Sequence, residues 1–359
     1  MSIIIFVIIL LVLIVGHEFG HLLVAKWARM DVPEFGVGFP PKLWGRKIGS
    51  TEYTINALPF GGFVRIIGEN AEDETNPRAF MHKPKYAQAA VMAAGPFANM
   101  VLAFVAFFIA YSVGVTAVQD ETHPVQNPFV MVSDVLKDSP AEHAGVLTGD
   151  TLVSLERDDT IVQISNAADI PTFVQAAEGE ITLHLSRSGE SVAVTLTPAV
   201  GLIPENPTAP AIGIGSATVG TLQLGFFDAL YASLIKTTYG ISDITVGLGT
   251  LLWGAVTGSA SLKDISGPVG IATLVGEAAT FGAGQVFLLA AILSLNLAVI
   301  NLFPFPALDG GRLLMLAYET IVRRRVPPYA ANVINTVGFF ALIALMLAVT
   351  ASDIVKLVQ

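Results

Sequence analysis

His17-Glu18-Phe19-Gly20-His21 is an H-E-x-x-H pattern. On a helix, histidines four residues apart lie on one face, one turn apart, with the carboxylate beside them. Two imidazole nitrogens and a carboxylate are the minimal set for zinc-assisted hydrolysis. The flanks make the pattern unusual, because residues 3–16 and 22–25 are apolar apart from glycine. Ionisable groups in a lipid-spanning helix are costly and persist where they serve a function. The chemistry to expect is metal-dependent hydrolysis at membrane depth.

A catalytic zinc takes three protein ligands and a water. The chain has no cysteine, so the third ligand is His, Asp or Glu. His82 sits in a basic connector, while His123, His143 and His184 fall across the membrane by the charge pattern below. Asp309 stands out in the stretch from Asn301 to Gly311, where Pro304 and Pro306 break an apolar run and two glycines follow. Non-helical backbone at membrane depth survives only beside a cavity or protein interior. Alternatively, Asp309 caps a helix starting near Arg312. The intramembrane H-E-x-x-H favours the ligand reading.

The elements that must position these groups follow from composition. Of the 359 residues, 53% are hydrophobic and 13% charged, with a mean hydropathy of +0.66. Soluble domains carry roughly 25% charged residues. A polytopic α-helical membrane protein with about four spans is expected, at 3–25, 88–115, 285–303 and 331–350. The first run has neither a cationic start nor a small-residue cleavage site and reads as a retained span. Residues 26–87 hold nine Lys/Arg, and 304–330 hold Arg312 and Arg323–Arg325. Segment 116–284 has five Lys/Arg against eighteen Asp/Glu. By the positive-inside rule, 26–87 and 304–330 are cytoplasmic, and 116–284 and both termini are outside. Helix rise puts His17 about 22 Å below Ser2 in a core of roughly 30 Å, in the cytoplasmic half. Asp309, after the third span, is at a compatible depth. No basic block with interleaved aromatics suggests nucleic acid.

Four regions are expected. Residues 1–115 form the first half of a membrane core, including a membrane-associated β-hairpin over 51–67 whose Pro59 demotes its strand to an edge. The acidic run 69–78 reads as a solvated connector. Residues 127–200 form a small α+β extracytoplasmic domain. In it Asp138 to Gly145, followed by Val146 to Leu152, resembles the PDZ signature, with Pro opening a short helix and Gly closing it. Pro171–Ala177 supplies a second helix, and Ile212–Gly215 is a candidate for part of a carboxylate-binding loop. Such a domain binds extended peptides by strand addition or serves as a spacer. Residues 201–284 read as a linker plus one or two interfacial amphipathic helices over 222–256, with a fifth span as the rival. Residues 285–359 form the second half of the core.

The chain resembles the site-2 protease family of intramembrane zinc metalloproteases, in its bacterial regulator-of-sigma-E branch. The matching stretches are His17–His21, Gly49–Val64, Gly95-Pro-Phe-Ala-Asn99, Ser266–Ile271 and Asn301–Gly311. They run in the family's order over nearly the whole chain. One departure is plain: familiar Gram-negative members carry two PDZ domains in tandem, and a single one is found here. Gly95 and Asn99 suit close helix packing.

Residue chemistry, supported by the resemblance, gives the roles. His17, His21 and Asp309 bind one Zn2+. Glu18 is the general base that takes a proton from the zinc-bound water and returns it to the leaving amine. Asn301, and less directly Asn296, hydrogen-bond substrate backbone or the oxyanion, or bond between helices. The resemblance assigns the hairpin, with Thr54, Ile55, Asn56, Gly61, Gly62 and Phe63, to holding an unwound substrate. It implies an inner-membrane endopeptidase, in contact with lipids, that cuts transmembrane segments of single-span proteins such as anti-sigma factors or signal-peptide remnants. A catalytically silent scaffold whose PDZ-like domain binds exported tails is the alternative. A metal transporter is disfavoured, because spans two and four lack acidic or histidine relays.

Overall fold

A computed structural model describes residues 2–69, 75–119, 125–158, 160–176, 179–187, 189–203, 206–259 and 265–358. His123 and residues 70–74 of the acidic run 69–78 lie outside the described residues. The chain forms two units: Met1–Ser112 with Gly225–Gln359, and Val113–Leu224.

The first unit opens with α1 (Ser2–Trp27), apolar all round yet burying His17, Gly20, His21, Leu22 and Ala25. A helix without a polar face suits a lipid span or a protein core. Two long strands follow, β1 (Glu34–Ile48) and β2 (Thr51–Arg65), joined at Gly49 in a left-handed conformation (φ +64°). Both bend, so two strands supply four segments joined by three ladders. Glu34–Val37 pairs with Glu52–Ile55 on one side and with Gly62–Arg65 on the other, while Lys42–Ile48 pairs back onto Thr51–Asn56. This corrects the hairpin expected over 51–67. Its first strand begins at Glu34, where Gly36, Gly38, Pro40 and Pro41 hide the strand pattern. The segment before Pro59 is internal and the edges are 42–48 and 62–65. Pro59 falls between the Phe39–Leu58 pair and the Gly62–Arg65 ladder and has no partner in the register, so its missing N–H costs the ladder nothing.

The helical remainder comprises α2 (Lys85–Val113), and then, after the second unit, five more helices. These are α5 (Phe226–Thr257), α6 (Pro268–Thr280), α7 (Ala283–Leu302), α8 (Asp309–Val322) and α9 (Pro328–Val358). Among the described residues, α1, α2, α7 and α9 are long and apolar enough to cross a membrane, matching the four expected stretches. The expected amphipathic stretch 222–256 is one helix, α5, packed on α7 at Gly240, where an added methyl would lie 2.8 Å from Leu295 Cδ1. α6, inside the expected linker, packs on α1 instead, in a cluster of Ile9, Leu13 and Val275. Its N-terminus is closed from α9: Gly270 N–H donates to the buried Asp353 Oδ2 at 2.8 Å.

The second unit is a seven-stranded sheet with two short helices. Its strands are β3 (Val115–Val118), β4 (Gln126–Val135), β5 (Thr151–Arg157), β6 (Thr160–Gln163), β7 (Ile181–Arg187), β8 (Glu190–Leu196) and β9 (Ile214–Leu222). The order is β3-β9-β4-β5-β7-β8, with β6 on β5. α3 (Pro140–His143) is capped by Ser139 Oγ, which accepts from Glu142 N–H at 3.2 Å, and α4 (Asp169–Gln175) adds Ile170 and Val174 to the core. The boundaries differ from those expected. β9, read as linker, is an inner strand between β3 and β4, so the unit closes only when residues far beyond 200 return to it. Asp150 is buried at 2% exposure and takes Arg187 Nε and Nη2, each at 2.7 Å, and Leu147 N–H at 2.9 Å. Burial alone would raise the Asp150 carboxyl's pKa, but the Arg187 guanidinium outweighs it and holds the group below its ordinary range.

Candidate metal centre

His17 and His21 point from α1 toward α2, which crosses close by because small residues meet. A methyl at Gly20 would collide with Ala94 O and lie 2.8 Å from Ala98 Cβ. One face of α2, at positions 91, 95 and 99, receives the imidazoles. Val91 O accepts from His21 Nδ1 at 2.7 Å. A carbonyl only accepts, so Nδ1 carries the proton and Nε2 presents its lone pair. Gly95 leaves space for both rings: a methyl there would overlap His21 Nε2 and lie 2.6 Å from His17 Nε2. The wholly buried Asn99 places Nδ2 3.2 Å from His17 Nδ1, and its backbone carbonyl accepts from Ser294 Oγ of α7 at 2.7 Å.

Asp309 arrives from the other half. α7 ends at Leu302, a turn through Pro304 and Pro306 follows, and α8 begins at Asp309. That turn folds tightly onto α8. Methyls on Gly310 or Gly311 would overlap the carbonyl oxygens of Leu302, Phe303 or Phe305. Gly338 of α9 seats against Pro306, where a methyl would lie 2.7 Å from its carbonyl. The capping alternative for Asp309 is not realised: the N-cap is Leu308, with no side-chain cap.

Three donor atoms therefore converge. His17 Nε2 and His21 Nε2 are 3.1 Å apart, and Asp309 Oδ2 is 3.1 Å from the first and 3.3 Å from the second. Asp309 Oδ2 is buried without a hydrogen-bond partner among the described residues. Zinc bonds of about 2.0 Å in a tetrahedron put ligand atoms about 3.3 Å apart. The triangle thus fits one face of a zinc tetrahedron. Among the described residues, Asp138, Glu142 and His143 also cluster, but they are exposed and Glu142 Oε2 already accepts from Asp138 N–H at 2.6 Å.

Glu18, on the same helix, lies against the sheet edge 62–65. Gly62 brings the backbone close, since a methyl there would lie 3.5 Å from Glu18 Cγ, and Val64 N–H donates to the carboxylate. Of the other expected residues, Thr54 and Asn56 turn inward: Thr54 Oγ1 donates to Glu34 Oε1 at 2.9 Å and Asn56 Nδ2 to Gly38 O at 3.1 Å. Ile55 is exposed, and Phe63 stacks on Phe39 beside Gly61. Asn301 is half-buried and its side-chain amide makes no hydrogen bond among the described residues. Asn296 differs: its Nδ2 donates to Ile292 O of its own helix at 2.9 Å. Sequence reasoning missed the work of Gly95 and Asn99, taken as helix packing. The signal was their spacing of four, which puts both on one face of α2. It also missed Arg312, one turn past Asp309, which ion-pairs with Glu69.

Comparison with known proteins gives the family. The model of Peptidase family M50 matches residues 5–345. A candidate zinc metalloprotease of Clostridium perfringens is 35% identical over 346 residues, covering 96% of this chain and 95% of the relative. The zinc metalloprotease RasP of Geobacillus kaustophilus is 29% identical over 436 aligned residues, covering 99% and 98%. The chain belongs to peptidase family M50, the zinc metalloproteases of the site-2 protease type.

Proposed function

We propose that His17, His21 and Asp309 hold the zinc, that Glu18 is the general acid–base, and that the enzyme cuts transmembrane segments of single-span membrane proteins. The observation that carries this is the triangle of donor atoms at tetrahedral spacing, with Glu18 beside it, on a helix long and apolar enough to span. Zinc held there supplies a Lewis acid that acidifies water and polarises a carbonyl. Glu18 takes the proton from the attacking water and passes it to the leaving amine. The Val64 N–H fixes which way the carboxylate faces.

A transmembrane helix hides its peptide bonds, so it must unwind before attack. The edge 62–65 pairs with Glu34–Val37 on one side and lies next to Glu18, and an extended segment that adds to it at Gly62 and Phe63 would bring its carbonyls beside that carboxylate. Gly61, Gly62 and Phe63 act at that edge, while Thr54, Ile55 and Asn56 support it through the sheet. Asn301, with its amide uncommitted, donates to substrate backbone. The charge asymmetry supports a bacterial inner-membrane protein with its active site in the cytoplasmic half and the Val113–Leu224 unit outside. That unit is a PDZ-like domain in this reading. A cavity of about 310 Å³ lined by Ile170, Val174, Ile212 and Ile214 lies between α4 and the start of β9, and an extended peptide tail fits it.

The test is Glu18→Gln. Zinc content is expected to stay at one per chain while cleavage of a transmembrane reporter in liposomes falls at least 1,000-fold, of the order general acid–base catalysis supplies (roughly 10²–10⁴-fold). Full cleavage by the variant removes Glu18 from the mechanism.

A further inference from the structure

Two facts about Asn99 stand apart from the chemistry above. Its side chain is wholly buried, and its Oδ1 has no hydrogen-bond partner among the described residues. Its carboxamide meets His17 Nδ1 at 3.2 Å through the atom placed as Nδ2. A half-turn of a carboxamide exchanges oxygen and nitrogen with almost no change of shape.

The two orientations have opposite consequences. With Nδ2 toward the ring, Asn99 donates to Nδ1, and the imidazole proton moves to Nε2, into the triangle with His21 and Asp309. With Oδ1 toward the ring, Asn99 accepts from Nδ1–H, and Nε2 turns a lone pair into the triangle. For His21 the protein makes the second choice with the Val91 carbonyl, one turn down the stripe that Gly95 and Asn99 complete. We infer that Asn99 is a positioning residue for the metal centre: its Oδ1 accepts from His17 Nδ1–H and so fixes His17 as an Nε2 ligand. α2 then sets the tautomer of both histidines, by backbone for one and by side chain for the other. This rests on His17 being a ligand, as proposed above.

Outer hydrogen bonds of this kind are worth about 10–100-fold in metal affinity. The experiment measures the zinc dissociation constant of the full-length protein in detergent by chelator competition, with no turnover required. Asn99→Ala and Asn99→Leu are expected to weaken zinc by about 10–100-fold. Asn99→Asp, an acceptor at the same position, is expected to stay within about threefold of wild type, well short of that range. Leu fills the volume but accepts nothing, so a packing role predicts that it retains affinity, whereas the acceptor role predicts that it does not. Wild-type affinity in Asn99→Leu, or equal loss in Asn99→Asp and Asn99→Leu, overturns the inference. If Asn99→Ala does not fold, the Asp and Leu variants decide. His17→Ala separates the premise: retained zinc there refutes His17 as a ligand, whereas zinc lost there but kept in Asn99→Leu refutes only the role of Asn99.

Discussion

Gly95→Ala adds one methyl to a helix interior, and helix propensity alone would favour it by about 0.8–1 kcal/mol. The structure predicts a damaged enzyme all the same. The new carbon would overlap His21 Nε2 and lie 2.6 Å from His17 Nε2 and 2.7 Å from His17 Cε1. Non-bonded carbon contacts are comfortable at about 3.5–4.0 Å, so each ring must retreat by roughly 1 Å or α2 must back away. Neither is cheap. His21 is tied to Val91 O on the same helix, and α2 is held to α1 by the Gly20 crossing. Metal sites tolerate ligand displacements of only about ±0.2 Å, and a misplacement of 1 Å in an active site costs on the order of 100-fold. The expectation is a fall of at least 100-fold in kcat/KM, about 2.7 kcal/mol of transition-state stabilisation, with zinc affinity weakened as well. The assay pairs zinc analysis with cleavage of a transmembrane reporter, and thermal melting in detergent checks the fold. A folded Gly95→Ala protein with wild-type zinc and wild-type cleavage would refute the role given to this glycine.

Asp353→Ala removes a carboxylate that closes the N-terminus of α6 from α9. It should cost about 1.5–3 kcal/mol, the range for a hydrogen bond to a charged group, read as a lower melting temperature; an unchanged melt dismisses the contact. Arg187→Ala strands the buried Asp150 carboxylate and should cost the Val113–Leu224 unit about 3 kcal/mol near neutral pH, the low end for breaking a buried pair because Arg187 is a third exposed. The pH sign follows from the direction of the shift. Asp150 is depressed when folded, so its contribution is complete above the ordinary carboxylate range of about 3.9 and fades as pH falls through the lower folded value. In Arg187→Ala, burial is opposed only by the Leu147 N–H, so the carboxyl's pKa rises relative to wild type and acid sensitivity should move to higher pH. Limited proteolysis of this unit across about pH 3–7 reads it, and superimposable wild-type and variant profiles would dismiss the pair.

What was legible in the sequence divides by range. The four apolar helices follow from a property summed over twenty residues, and composition does not depend on partners. The H-E-x-x-H pair is local, because one helical turn fixes its geometry. Asp309 was found by elimination, since without cysteine few intramembrane donors remain. The sheet misled because β1 carries three glycines and two prolines, which read as breakers. They are tolerated where the strand bends between ladders, and only the three-dimensional pairing reveals that bend. β9 was missed for a related reason: Ile214–Leu222 is glycine-bearing and weakly patterned, and becomes a strand through β3 and β4 on its two sides.

The glycines around the metal centre have a common logic that sequence distance conceals. Gly20 and Gly95 let α2 approach α1, while Gly310, Gly311 and Gly338 fold the turn before Asp309 onto α8 and α9. One set positions the histidines and the other positions the carboxylate, 288 residues after His21. Each glycine inside a helix costs up to about 1 kcal/mol against alanine. Around the metal centre that cost is borne where backbone or ligand atoms occupy the space of a side chain. Gly247 and Gly249 of α5, which meet nothing within 4 Å, mark the contrast. Alanine there should be neutral or stabilising, whereas alanine at Gly95 or Gly310 should disturb the centre. The distinction lies in what each absent methyl would touch.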